Sequence, residues 1–208
     1  MSINTKYMLA GFRIVFALLG FSAIVTEIAT LSERGVFMPA HFFSYFTIES
    51  NLIAVGCLLL SALTLASEKR NDRIALLRGS STLNMIVVGI VFSLLLAGRE
   101  GKLTAVPWDN TVLHYVMPMY VAFDWFVDLP KVRISIRRAL VWMTFPIAYV
   151  TYSLIRGYLI VWYPYPFLDP RENGYLGVAI TSFVIALVGV ALIWLLTRFT
   201  GRSRSKEI

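Results

Sequence analysis

The chain has 208 residues, of which 58% are hydrophobic and only 15% charged, and its mean hydropathy is +0.71. Soluble domains carry about 25% charged residues, so too little polar surface is present here to cover a soluble fold. The net charge of +7 then belongs to membrane topology and anionic headgroups, and a nucleic-acid partner is excluded because no basic and aromatic platform stands on a soluble fold.

Apolar runs between charged or Pro/Gly-rich stretches predict an all-α, six-transmembrane-helix bundle forming one domain, 1–208. Each run is close to the roughly 20 residues that a membrane crossing needs. The first, 8–30, is too long for a signal-peptide core and lacks a cleavage site, so it is read as retained. It carries Arg13 near its start and Glu27 near its end. The second, 46–66, opens with Tyr45-Phe46-Thr47-Ile48-Glu49-Ser50-Asn51. At about 100° per residue, Thr47, Ser50 and Asn51 share one face of that helix. Three roles fit these groups: Thr47 or Ser50 capping the helix start, hydrogen bonds between helices, or chemistry. Cys57 is the only cysteine, so an intramolecular disulfide is excluded.

The third run covers 80–97 and the fourth 111–129. The fourth begins Thr111-Val112-Leu113-His114-Tyr115-Val116-Met117-Pro118. Proline has no amide hydrogen, so the carbonyl of His114 loses its helical partner and a kink is expected there. Asp124 and Asp128 follow toward the other end. The fifth run is 138–157, with Arg156 at its end. A loop then reads Trp162-Tyr163-Pro164-Tyr165-Pro166-Phe167-Leu168-Asp169-Pro170, and the last run is 175–197.

Basic residues fix the expected orientation. Lys6 precedes the first run, Lys69, Arg70, Arg73 and Arg78 lie between the second and third, and Lys131, Arg133, Arg137 and Arg138 between the fourth and fifth. Arg198, Arg202, Arg204 and Lys206 follow the sixth, whereas the alternate loops hold only Arg34, Arg99, Lys102 and Arg171. The positive-inside bias therefore puts both termini in the cytoplasm. Thr47, His114 and the proline-rich loop then fall on the outer side. Arg13 and Asp124 are expected to pair near the inner side, and Glu27 and Arg156 near the outer side, because a lone charge in hydrocarbon is costly.

A threonine hydroxyl becomes a nucleophile only when a base takes its proton. Thr47 and His114 lie at similar depth and supply that minimum, with Asn51 or Ser50 as oxyanion donors and Tyr45, Trp162 and Tyr165 around the substrate. No carboxylate and histidine cluster has metal-ligand spacing and no glycine-rich phosphate loop is present, so no cofactor is expected. Two other classes use the same residues: a small-solute or proton-coupled transporter, and a noncatalytic membrane scaffold. An inverted repeat, the usual sign of a transporter, is not found.

Tyr45-Phe46-Thr47, His114 followed by Val116-Met117-Pro118, and Tyr165-Pro166-Phe167-Leu168-Asp169 occur in this order over most of the chain. In these motifs and in topology the chain resembles the androgen-induced-gene and ADTRP-like family of multi-pass membrane threonine hydrolases, as a bacterial branch. Animal members cleave fatty acid esters of hydroxy fatty acids. The resemblance implies Thr47 as nucleophile, His114 as base, a lipid ester as substrate, and the bacterial inner membrane, with the site toward the periplasm, as the location. The Tyr-Pro-Phe-Leu stretch matches a family loop without an assigned role and is placed here as a lid or rim. Pro118 stands one residue closer to His114 than the proline of the animal pattern stands to its histidine.

Overall fold

The computed structural model describes residues 3–65, 72–98 and 106–201. Among them the regular structure is entirely helical, as the unbroken apolar runs require: backbone polar groups away from water must be satisfied within each segment. Helix α1 is Ile3–Glu33, α2 is the short Pro39–Phe42, and α3 is Phe46–Thr64. Helix α4, Asp72–Val91, runs straight into a π turn, Phe92–Leu96. Helix α5, Pro107–Thr111, is joined through a second π turn, Val112–Val116, to α6, Met117–Val127. Helix α7, Ile136–Ala139, leads through a 3-10 turn, Leu140–Met143, into α8, Thr144–Ile160. A further 3-10 turn, Pro166–Leu168, precedes α9, Pro170–Arg198.

Four of these helical stretches are long and apolar enough to cross a membrane: Ile3–Glu33, Phe46–Thr64, Asp72–Leu96 and Pro170–Arg198. By length and composition the chain is a membrane protein. The two remaining rods, from Pro107 and from Ile136, occupy the expected fourth and fifth positions but are interrupted by the π and 3-10 turns. The expected start of the last run at 175 coincides with a break in α9. Gly174 adopts φ 65° and ψ 161°, a conformation that glycine reaches without a Cβ penalty.

Helix α4 is the centre of the bundle, touching α3 on one side, α6 on another, and α9 and the 3-10 turn before α8. Close approach is bought by glycine at Gly79, whose missing Cβ would lie 2.0 Å from the Trp142 ring. The third span is where the sequence reading needs correction. Its helix starts at Asp72, not at residue 80, and Arg78 lies inside it, buried, instead of in a cytoplasmic loop. The apolar residues Ile74, Leu76 and Leu77 ahead of Arg78 carry that extra helical length. Of the basic residues used for orientation, Lys69, Arg70, Arg99, Lys102, Arg202, Arg204 and Lys206 lie outside the described residues.

Arg78 belongs to a buried charge cluster that joins three helices. Arg13 Nε donates to Asp124 Oδ1 at 2.7 Å, and its Nη2 donates to Asp128 Oδ2 at 2.7 Å. Arg78 Nη2 donates to Asp124 Oδ2 at 2.9 Å and its Nη1 to the Asp128 carbonyl at 2.8 Å. Arg13 and Asp124 are thus joined directly, and two further partners complete the charge balance. Asp128 is the most exposed of the four side chains, at 25%.

Candidate active site

Thr47 is the second residue of α3. The residue ahead of the helix, Tyr45, is extended (φ −82°, ψ 126°) and no side chain caps from within the segment. A helix start leaves its first amide hydrogens without intrahelical partners. Here Thr47 N–H donates to the hydroxyl of Tyr165 at 3.2 Å, and Thr47 Oγ1 lies 3.4 Å from the same oxygen. Capping by Thr47 or Ser50 is therefore corrected: the cap comes from a tyrosine far along the chain. Ser50 is fully buried and its hydroxyl makes no hydrogen bond among the described residues.

Tyr165 reaches Thr47 because prolines stiffen its segment. It precedes Pro166 and is extended (φ −134°, ψ 142°), as a residue before proline prefers. Its ring stacks on Phe167 with centroids 5.2 Å apart and meets Tyr45 edge-on at 5.6 Å. Tyr165 and Leu168 are both buried in the core, so this stretch is an inward plug and not the rim or lid expected of it. Trp162, by contrast, is only half-buried: it stacks on His41 at 4.0 Å and meets Tyr45 at 5.8 Å. The loop before α3 is held by Tyr149, whose hydroxyl donates to the Ser44 carbonyl at 2.9 Å.

Asn51, one turn below Thr47, uses both amide hydrogens. They go to the Thr47 carbonyl at 2.9 Å and across to the Leu113 carbonyl at 3.2 Å. This corrects its assignment as an oxyanion donor, since neither hydrogen is left to give. Its function is to tie the Thr47 turn to the turn containing His114. The expected kink there takes the form of the π turn Val112–Val116, with Pro118 just beyond it.

His114 is buried, and its Nδ1 lies 3.0 Å from the Asn110 carbonyl. A carbonyl only accepts, so Nδ1 carries a hydrogen, and in the neutral ring the lone pair is then on Nε2. The imidazole stacks on Phe92 with centroids 3.8 Å apart, so these two π turns meet ring to ring. Gly89 allows this approach, because a Cβ there would lie 3.2 Å from Pro118 Cβ and 3.7 Å from the His114 carbonyl oxygen.

Thr47 lines a cavity of about 70 Å³ whose wall is mostly apolar and aromatic, including Val88, Phe92, Tyr149 and Tyr165, with Ser182 as the other residue bearing an aliphatic hydroxyl. Two clefts, of about 230 and 280 Å³, adjoin it through the shared residues Val87 and Ile185. They open on the outside of the bundle beside exposed Leu94, Ile180, Val184 and Ile147. His114 stands behind Phe92, outside the cavity wall. Thr47 Oγ1 thus bonds to Tyr165 and makes no hydrogen bond to His114, contrary to the direct pair expected from the sequence.

Glu27 and Arg156 also go to different neighbours, which corrects their expected pairing. Glu27 is buried facing the carboxyl of Asp109. Arg156 Nη2 donates to the Ala40 carbonyl at 3.1 Å, and its guanidinium lies 4.9 Å over the Trp162 ring. Asp109, Phe92 and Tyr149 are site neighbours that the sequence reading passed over. Only Asp109, a carboxylate between a tryptophan and an asparagine at the head of an apolar run, stood out by type.

Comparison with protein-family models, with curated proteins and with solved structures finds no match to this chain.

Proposed function

We propose that this chain is an intramembrane lipid ester hydrolase with Thr47 as nucleophile and His114 as base, in a six-span bundle with both termini inside. One observation carries the reading. The Thr47 hydroxyl stands in the wall of an apolar cavity, beside a tyrosine hydroxyl, where clefts lead to the lipid-facing surface. An acyl chain enters such a cleft without leaving hydrocarbon, and its ester reaches the one aliphatic hydroxyl in contact with Tyr165.

In the reaction, His114 Nε2 takes the Thr47 hydroxyl proton as Oγ1 bonds to the ester carbonyl carbon. Collapse of the tetrahedral intermediate breaks the ester C–O bond, and the leaving alkoxide takes the proton from His114. Water then attacks the acyl-threonine with His114 again as base, releasing the acid and restoring Thr47. Tyr165 O–H takes the oxyanion-donor role that Asn51 is unable to fill. The proposal requires Thr47 to exchange its Tyr165 bond for His114 as Phe92 moves aside, and the adjoining π turns are where a helix gives way most readily.

The test is covalent labelling of the purified protein in lipid with activated-ester and fluorophosphonate acyl probes, the adduct being mapped by mass spectrometry. An adduct on Thr47 that is lost in folded Thr47→Ala and His114→Ala supports the hydrolase. A second reading, a noncatalytic membrane scaffold, is favoured by the engagement of both Thr47 groups by Tyr165 and of His114 by Asn110 and Phe92. Thr47→Ser separates the two: a hydrolase keeps part of its turnover, whereas a scaffold shows no adduct in either form.

A further inference from the structure

Arg156 has partners that fall short of its charge. Arg13 and Arg78 share Asp124 and Asp128, and Arg171 pairs with Asp169. Arg156 has one carbonyl, that of Ala40, and the face of Trp162. Its Nη1 is buried and has no hydrogen-bond partner, and it forms no ion pair with a carboxylate, among the described residues. Arg156 as a whole is half-buried, but a buried guanidinium nitrogen is ordinarily satisfied. A planar guanidinium with one edge free is suited to two parallel hydrogen bonds to a carboxylate or phosphate.

Its position connects it to Thr47. Tyr149, Ser153 and Arg156 lie at i, i+4 and i+7 on α8, hence on one face, and Tyr149 lines the Thr47 cavity. Seven residues of helix place Arg156 about 10 Å further along the axis than Tyr149. An unbroken aromatic path runs the same way. Trp162 beneath Arg156 meets Tyr45, Tyr45 meets Tyr165, and the Tyr165 hydroxyl contacts Thr47. His41, stacked on Trp162, holds that ring flat under the guanidinium.

We propose that Arg156 binds the anionic oxygens, carboxylate or phosphate, of an amphiphile whose apolar part extends toward the Thr47 cavity. As the identity of a substrate this rests on the hydrolase reading. As a binding site it stands without turnover.

The experiment uses full-length Thr47→Ala protein in an uncharged maltoside detergent, with tryptophan fluorescence as the signal and Trp162→Phe as the control for its source. Dodecyl phosphate and dodecanoate are titrated, with dodecanol and inorganic phosphate as comparison arms. Saturable binding of both anionic amphiphiles is expected, with affinity falling about tenfold or more in Arg156→Gln, the worth of a charged hydrogen bond. Arg156→Lys keeps the charge without the fork and should fall in between. Dodecanol should bind the same with or without Arg156, and inorganic phosphate should bind far more weakly than its dodecyl ester. Equal affinity of dodecyl phosphate for the arginine, glutamine and lysine forms overturns the proposal. So does equal binding of inorganic phosphate, which would make this a simple anion site. Anion binding that depends on Arg156 in a protein whose native form never labels at Thr47 leaves this site standing and removes the hydrolase. Labelling at Thr47 with binding indifferent to Arg156 does the reverse.

Discussion

At one end of the bundle Arg13, Arg78, Asp124 and Asp128 close a network in which two positive and two negative groups meet at 2.7 to 3.3 Å. At the other end Thr47, Ser50, His114, Tyr165 and Asp109 are just as buried, yet the contacts are looser: Thr47 meets the Tyr165 hydroxyl through its amide and its own hydroxyl, and His114 meets the Asn110 carbonyl and the Phe92 ring. The hydroxyl of Ser50 finds no donor or acceptor among the described residues, and the carboxyl of Asp109 faces a second carboxyl, that of Glu27. Saturation marks an element that holds helices together, because each member would be costly to leave alone. Spare hydrogen-bonding capacity marks a place able to take up something from outside, because its groups gain by meeting a ligand. The contrast assigns stability to the first end and chemistry to the second.

The contrast is broken most decisively by removing a single charge from the saturated end. Asp124→Ala leaves both arginines short of a partner and should cost about 3–5 kcal/mol. The readout is loss of folded protein on gel filtration or a large fall in thermal midpoint in detergent. Replacing the pair together, Arg13→Met with Asp124→Leu, should recover much of that loss, because Arg78 and Asp128 still meet. If the double change is as damaging as the single one, the cluster is more than a clamp.

Smaller effects are expected at the other end. Tyr165→Phe strands the Thr47 amide and should cost roughly 1–3 kcal/mol in thermal unfolding, while also lowering acyl labelling. Thr47→Ala removes one hydroxyl contact and should cost no more than about 1.5 kcal/mol, yet abolish the adduct. A fall as large as that of Asp124→Ala would make Thr47 a structural residue and erase the distinction between the ends.

The smallest effect is a titration. Burial, and then the nearby charge of Arg156, hold the His41 imidazole below its ordinary pKa of 6.5. A group depressed in the folded state contributes stability above its unfolded pKa, and that contribution is lost as pH falls through the folded value. Arg156→Gln should therefore move the His41 pKa upward, as followed by its ring protons in an NMR titration. No movement would separate the two groups electrically and weaken the case for an uncompensated guanidinium.

What was legible in the sequence follows from length scales. Apolar runs of about 20 residues reveal helices whatever their neighbours, so the helical rods and the join of Arg13 to Asp124 could be anticipated. Partners chosen across the fold could not. Arg78 looked like a loop cation because four apolar residues ahead of it were too few to count as a span. Asn51 had the right chemistry for an oxyanion donor, but the carbonyl that uses its second hydrogen belongs to Leu113, on another helix. Glu27 and Arg156 were matched by sign and depth, whereas the rotation of α8 turns Arg156 to Ala40 and Trp162. The π turns are invisible to any reading that assumes a constant 3.6-residue period.

Those π turns also bear on how much the chain length here is allowed to vary. A π turn accommodates one residue more than the α turn it replaces, and in α geometry that residue would swing everything after it by about 100°. In the rod from Pro107 to Val127 it keeps two faces in phase: the half with Asp109 and His114 and the half with Asp124 both point into the bundle. Deleting one residue between Thr111 and Met117 is therefore a milder change than deleting one elsewhere in the rod, since the helix can absorb it by tightening. The turn behaves as an expansion joint, and the spacing from histidine to proline is the dimension it leaves adjustable.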